Sequence, residues 1–493
     1  MKKNLFRNII LASVSSLLVL AGCKKQLDIN QNPNNPTLDQ GNPKLVFPAA
    51  VLATTGKAGG DLAILGGIWG EYITQSAVAN QYKYIDAYDV KTTDFNATYN
   101  VLFTNGLKNY QYVIDKSAAS SDWTFYLMAT VMKAYTTALL VDLYDKIPYS
   151  QALQGSTNLS PEFDDGYTIY LDLIAKIDTA LTKDFSASTN SKPGTSDLVF
   201  GGNIDNWIRF ANTLELKMYL RMVNAHNDVA LAGVNKLYSR NASFLTSPAA
   251  VTNFTNAPGL DNPLYEQNIR ELNTPDNLRA SRTFTSFLQA NNDPRIVSYF
   301  GTTTPNSIHQ GDYNNTTDPN YPKAAVFVQS PTDPVMFISL PESYFLQSEA
   351  DMRYFGGLKA QGLYNQGVTA SFAEKGQSGA ASFLAPTGAY AYPAAGSNDQ
   401  KLEAIIVQKW IAFAHGVHMI EGFFEKNRTG YPRTSTVYST DPAYVPGRFV
   451  VGKNSVLTPG LLPRRLVYPY SETSRNSKSP DLVPISTGVW WAK

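Results

Sequence analysis

The sequence predicts a mostly α-helical protein in which stacked helix pairs lie beside an irregular, loop-rich region. Three observations carry this expectation. Between about 94 and 230, apolar residues recur at three- and four-residue spacing, the mark of helices that each bury one face. From about 240 to 335, Pro, Asn, Thr and Gly break the pattern and leave only short apolar patches. Helical spacing then returns at 342–360 and 402–425. Successive one-faced helices bury those faces best by stacking in pairs, as solenoid repeats do. No regular repeat period is visible.

The first element is not part of that fold. Lys2, Lys3 and Arg7 precede an apolar run from Ile9 to Leu20, followed by Ala21, Gly22 and Cys23. A basic start, an apolar segment too short to span a bilayer comfortably and small residues before a cleavage point describe a secretory signal. The Cys directly after it resembles the lipobox of bacterial lipoproteins. Cys23 is the only cysteine in 493 residues, which excludes an intrachain disulfide or a thiolate metal cluster. The expected organisation is a signal peptide over 1–22, a lipidated tether over 23–42 and a body over 43–493. Within the body, a helical-repeat part runs to about 235 and a loop-rich part with further helices follows from about 236. Asn30, Asn32, Pro33, Asn34, Asn35 and Pro36 make the tether too turn-rich for a regular element.

Removing 1–22 takes away Lys2, Lys3 and Arg7 and moves the formal charge from +1 to −2. Neither value suits a nucleic-acid partner. Charged residues make up 16%, while the chain holds 29 Tyr, 24 Phe and 6 Trp, so much of its polar surface is neutral. Such a surface suits neutral polar ligands or a broad protein interface. No second run of 18 or more apolar residues is present, and no transmembrane helix is expected.

In the body, a helix beginning at Asp94 or Thr98 carries Tyr99, Leu102, Leu107, Tyr110 and Val113. Asp122 is placed to cap the next, which presents Leu127, Met132, Ala138 and Leu143. Another runs from near Tyr167 through Leu171, Ile174 and Ile177. The strongest pattern is 205–223, with Trp207, Phe210, Leu214, Met218 and Met222 on one face. Residues 374–398 are rich in Gly, Ala and Ser, and 429–493 read as an extended closing segment.

Several segments match, in order, motifs of one known family. Leu27 to Pro36 after the lipobox, Val141-Asp142-Leu143-Tyr144-Asp145-Lys146-Ile147-Pro148-Tyr149 and the Trp207 to Leu214 helix are three of them. Gln347-Ser348-Glu349-Ala350, Gln408-Lys409-Trp410-Ile411-Ala412, Arg428-Thr429-Gly430-Tyr431-Pro432 and Arg464 to Glu472 with Asn476 complete the set. Together they resemble the SusD/RagB-like nutrient-binding outer membrane lipoproteins of Bacteroidota. Two departures are Asp145 where that family usually has Gly and Asn427 where it has Arg. The resemblance implies a SusD-like fold with tetratricopeptide-like helical pairs packed against the irregular region. It also implies a non-catalytic protein that captures oligosaccharide or peptide for a SusC-like TonB-dependent outer membrane transporter. The anchor would be acylated Cys23 in the bilayer of the outer membrane, facing the cell exterior. Lys24 and Lys25 depart from the acidic residues that surface-exported members often carry there. The matched Asp142, Pro148, Arg428 and Arg465 read as architecture.

Candidate chemistry is sparse. His415, His418 and Glu421 are spaced by three, yet Gly416 interrupts them and no His-Glu-x-x-His pattern exists, so helix-end packing is expected and no metal or cofactor. Asp164-Asp165 and Glu349 with Asp351 offer carboxylates without distinguishing an acid from a base. No nucleophile elbow, Walker run or dinucleotide fingerprint occurs, and no catalytic residue is assigned. For ligand contact, Trp69, Tyr72, Tyr82, Tyr84 and Tyr88 stand out beside Gln and Asn, since aromatic faces stack on sugar C–H groups or peptide side chains. Core packing is the competing reading for each of them. Tyr313 and Tyr321 rank second. The other function classes that remain open are an extracellular glycan- or peptide-degrading hydrolase and a non-catalytic envelope scaffold.

Overall fold

The computed structural model describes residues 41–190 and 192–493. Residues 43–493 form one compact unit. The signal 1–22, Cys23 and nearly all of the tether lie outside the described residues.

The longer helices are α1 (Pro43–Gly59), α2 (Asp61–Trp69), α3 (Lys108–Ser120), α4 (Trp123–Tyr144), α5 (Gly166–Leu181), α6 (Ile204–Arg221) and α7 (Asn227–Ser239). They continue as α8 (Arg282–Ala290), α9 (Leu340–Tyr354), α10 (Ala360–Glu374), α11 (Asn398–Ala412) and α12 (His418–Thr429). Strands are few and short, and pair only two by two. The pairs are β1 (Ile73–Gln75) with β5 (Leu278–Ala280), β2 (Lys146–Pro148) with β3 (Phe163–Asp165), and β4 (Ala249–Val251) with β6 (Val335–Ile338), all antiparallel. The fold is thus mostly α, with helix pairs and a loop-rich region, as the sequence predicts.

Neighbouring helices pack as α3 on α4, α4 on α5, α6 on α7 and α9 on α10. Asp122 caps α4 by accepting from Phe125 N at 3.4 Å, and it also receives Ser188 Oγ and Asn190 Nδ2 from the connection after α5. Ser397 and Gln400 form a capping box at the start of α11. The centre of the bundle is α4, whose length and hydropathy would suffice to cross a membrane. Its apolar window is 89% buried inside the protein, so this helix is the core rather than a span. Each fully buried Leu, Val or Met along it contributes about 1.5–3 kcal/mol of burial.

The helical spacing over 402–425 is divided between α11 and α12 by a turn at Gly416 (φ +55°), the residue that interrupts the pattern in the sequence. Helix α10, with Gly362 and Gly367, has weak intrinsic propensity and goes unmarked in the sequence. It forms because Gly367 admits the Phe345 ring of α9, which would lie 2.7 Å from a Cβ at that position.

Asp145 shows why the related motif prefers Gly: it ends α4 at φ +73°. The carboxylate supplies a compensation that Gly cannot, accepting from Trp490 N at 2.6 Å and facing Arg465 at 3.6 Å. The closing segment is thereby pinned to the end of α4.

Candidate functional site

The irregular loops gather over the α2–β1 corner, where the five aromatic candidates reside. Trp69, at the end of α2, is buried: its Nε1 donates to Ile85 O at 3.0 Å and its ring lies 5.2 Å from Phe423. Tyr72 is fully buried, donating to Trp410 O at 2.9 Å and stacking on that indole at 5.5 Å. Tyr82 and Tyr88 are buried as well, and the Tyr88 hydroxyl accepts from Gly452 N. A ring without an open face cannot stack on a ligand. Among the five, only the half-buried Tyr84 keeps accessible ring surface. Tyr313 and Tyr321 are also buried, Tyr321 donating to Asp312 at 2.7 Å.

What the structure does bring together is the chain around them. The hub is Gln310, fully buried, which bonds Ser281 Oγ at 2.8 Å, Asp86 at 2.8 Å and, through its carbonyl, Tyr438 OH at 2.7 Å. Asp86 also receives Thr74 Oγ1 at 2.6 Å and Gln75 N at 2.9 Å. Burial pushes this carboxyl up to about 6 despite those bonds. Lys83 lies over the Tyr313 ring at 5.3 Å, and Lys453 over the Tyr438 ring at 5.5 Å. Three segments (77–84, 309–321 and 438–454) are thus tied into one face. Its outer groups are Val78, Asn80, Gln81, Lys83, Tyr84, Asn314 and Asn320. This face offers amides, the half-buried rings of Tyr84 and Tyr438, the aliphatic side chains of Val78 and Val445 and the ammonium groups of Lys83 and Lys453, a set suited to hydroxyl-rich or amide-rich ligands.

Beneath it, Glu71 is buried at φ +55° and accepts from Thr283 Oγ1 at 2.5 Å and Val450 N at 2.9 Å. Burial outweighs both bonds and raises its pKa to about 8. Between about pH 4.5 and 8 the unfolded chain ionises this group while the folded one keeps it protonated, so stability falls as pH rises through that window. Glu71→Gln is therefore expected to match the wild type near pH 4 and to exceed it by several kcal/mol near pH 9. Urea denaturation at both pH values checks this; equal gains at both would show that ionisation is not the cause.

The remaining candidates are all engaged elsewhere. Asp164 accepts from Tyr149 N and Ser150 N, and Asp165 pairs with Lys146 at 2.6 Å. Asp351 is buried and accepts from Lys359 N. His415 meets Asp333 at 3.3 Å, whereas His418 stacks on Phe413 and burial drops its pKa to about 3. Among the described residues no group of three His, Cys, Asp or Glu could hold a metal ion.

Sequence reasoning missed one assembly, a buried ionic network. Glu421, Glu425 and Arg428 share one face of α12. Arg221 of α6 reaches Glu421 at 2.6 Å, Glu425 at 2.9 Å and Asp142 of α4 at 3.3 Å. Lys217 reaches Glu421 at 2.7 Å and Glu342 of α9 at 3.0 Å. Arg428 forks onto Glu349 of α9 with two bonds of 2.7 Å and also holds Glu425. Asp142 and Arg428, read from the sequence as architecture, sit inside this network, and so does Glu349, which the sequence offered only as a candidate carboxylate. The i, i+4 spacing of Lys217 with Arg221 and of Glu421 with Glu425 was the available signal.

Comparison with known proteins follows the same lines. A family model described as "Starch-binding associating with outer membrane", SusD-like, matches residues 67–451. A SusD homolog from Bacteroides uniformis superposes with a TM-score of 0.74 at 22% identity, covering 92% of this chain and 100% of the other. A chitin-binding SusD homolog from Flavobacterium johnsoniae gives 0.72 at 23% identity, covering 92% and 98%. A further Bacteroidetes SusD-like structure gives 0.73 at 18% identity, covering 92% and 99%. A search of curated proteins finds no match.

Proposed function

Because the chain belongs to the SusD-like family of outer-membrane-associated, nutrient-binding proteins, we propose that it captures an oligosaccharide and delivers it to a SusC-like TonB-dependent transporter. The observation that carries this reading is the span of the family match, 67–451, which includes the α2–β1 corner and nearly all of the loops over it. The lipobox at Cys23 supports anchorage in the outer membrane, on its exterior side. The family's description as starch-binding and the chitin-binding relative favour a glycan over a peptide. The amide-rich character of the loop face supports the same choice. In this reading Tyr84 stacks on the ligand while Asn80, Gln81 and Lys83 bond its hydroxyls. Trp69, Tyr72, Tyr82 and Tyr88 hold the corner in shape from beneath.

Two measurements test it. Affinity electrophoresis of the whole protein in soluble starch or chitin oligosaccharides is expected to show retardation, weakened about tenfold by Tyr84→Ala. Extraction in mild detergent is expected to bring down a large barrel protein with it. Binding of peptides but of no glycan would replace the oligosaccharide with the peptide alternative. Shortening of the glycan during the assay would favour the hydrolase reading, and no ligand together with no barrel would favour an envelope scaffold.

A further inference from the structure

Helices α3, α4 and α5 and the turn after β2 line a half-open cavity of about 620 Å³. Such a volume falls in the range of small-molecule sites. Its walls include Gln111, Lys133, Tyr149, Leu153, Gln154 and Lys176. The positions are scattered over four segments, which is why no sequence motif marks them.

The polar groups here are unequally committed. Asp164 is occupied by the turn, receiving Tyr149 N and Ser150 N. Asp172 receives Tyr149 OH at 2.5 Å and Lys176 Nζ at 2.6 Å. Lys133 differs. Among the described residues it has no carboxylate within ion-pair distance, and its one hydrogen bond goes to Gln111. Burial, then the charge of Lys176, drops its pKa to about 8, with Asp115 and Asp172 opposing from farther away. The Tyr149 ring lies beside both ammonium groups, 4.9 Å from Lys176 and 6.0 Å from Lys133.

We propose that this cavity is a second ligand site, selective for a compact sugar acid whose single carboxylate pairs with Lys133. One unpaired cation calls for one negative charge, and the carboxylates of Asp164 and Asp172 on the same walls disfavour a dianion such as phosphate. The lone pairs those carboxylates have left, with the side-chain amide of Gln154, are placed to bond ligand hydroxyls. Tyr149 and Leu153 supply the apolar contact that a sugar ring needs. The site does not depend on the transporter reading, because none of its residues belongs to the loop face.

Calorimetry of the whole protein with D-glucuronate tests it, with D-glucose as the neutral comparison. Binding of glucuronate at least about tenfold tighter than glucose is expected. Near pH 9, where Lys133 is mostly neutral, binding should draw a proton from buffer, seen as a heat that changes with the buffer's ionisation enthalpy. Lys133→Met should lose both the affinity and the proton uptake. Lys133→Arg should retain affinity without the uptake, since guanidinium stays charged, and Tyr84→Ala should change neither. Equal binding of glucose, unchanged glucuronate binding in Lys133→Met, or no glucuronate binding at all would overturn the proposal.

Discussion

Arg428→Met is expected to lower stability by about 3–5 kcal/mol, because it leaves Glu349 and Glu425 buried without their main cation. Arg428 is 1% exposed and makes the two-pronged bond to Glu349 that a methionine cannot imitate. Burial pushes the Glu349 carboxyl up, yet Arg428 and then Arg353 outweigh it and hold the group down at about 2. Lys217 and Arg221 do the same for Glu421, also held at about 2 against burial. Folded pKa values below the unfolded ones mean stability that is complete above about pH 4.5 and lost as pH falls towards 2. The substitution should therefore also flatten the acid limb of the wild-type stability profile. Urea denaturation from about pH 7 down to pH 3 gives both readouts. Arg433, exposed and paired with Glu403 at 2.7 Å, is the contrast, and Arg433→Met should cost under about 1 kcal/mol. Equal losses for the two arginines would mean that the network contributes nothing special.

Gly66→Ala is the second large effect, expected at about 3 kcal/mol or more. Helices α2 and α12 cross so closely that a Cβ on residue 66 would sit 2.2 Å from Ile420 N and 2.3 Å from its Cα. Both atoms are backbone and cannot rotate away. The added methyl must push α12 bodily, and α12 carries Glu421, Glu425 and Arg428. Packing loss and network distortion then add. Gly56 in α1 is a fair control, with nothing within 4 Å of the place its methyl would take. Gly56→Ala should be neutral or stabilise by up to about 1 kcal/mol. Thermal melts of the two variants beside the wild type decide the matter: a Gly66→Ala melt within error of Gly56→Ala would show that the helices can separate at little cost.

The two substitutions sit on one structural fact. Helix α12 is both the closest neighbour of α2 and the carrier of the ionic network, so it joins the corner under the loop face to the helical pairs. Disturbing it should therefore alter the ligand binding proposed for Tyr84 without touching that residue. Helices with one apolar stripe were legible beforehand, as at Ile204–Arg221, because burial of that stripe is a local demand written in residue spacing. The cap at Asp122 was legible for the same reason. Helix α10 was not, since its glycines favour no structure until Phe345 fills the space above Gly367.

The ligand candidates show the boundary most sharply. Composition and loop context single out Trp69, Tyr72, Tyr82, Tyr84 and Tyr88 alike, because a tyrosine in a core and a tyrosine on a rim have the same local sequence demands. Only tertiary packing decides that four are buried and Tyr84 is not, with α12 against Trp69, α11 against Tyr72 and the 449–454 segment against Tyr88. Charge behaves likewise. The sequence by itself determined a helical body, the family motifs and the spacing that puts Glu421, Glu425 and Arg428 on one face. Tertiary structure alone decided which charges meet, giving Arg428 a carboxylate on either side and Lys133 none. The reason is physical: helix formation depends on neighbours three and four residues away, whereas ion pairing and exposure depend on groups hundreds of residues apart.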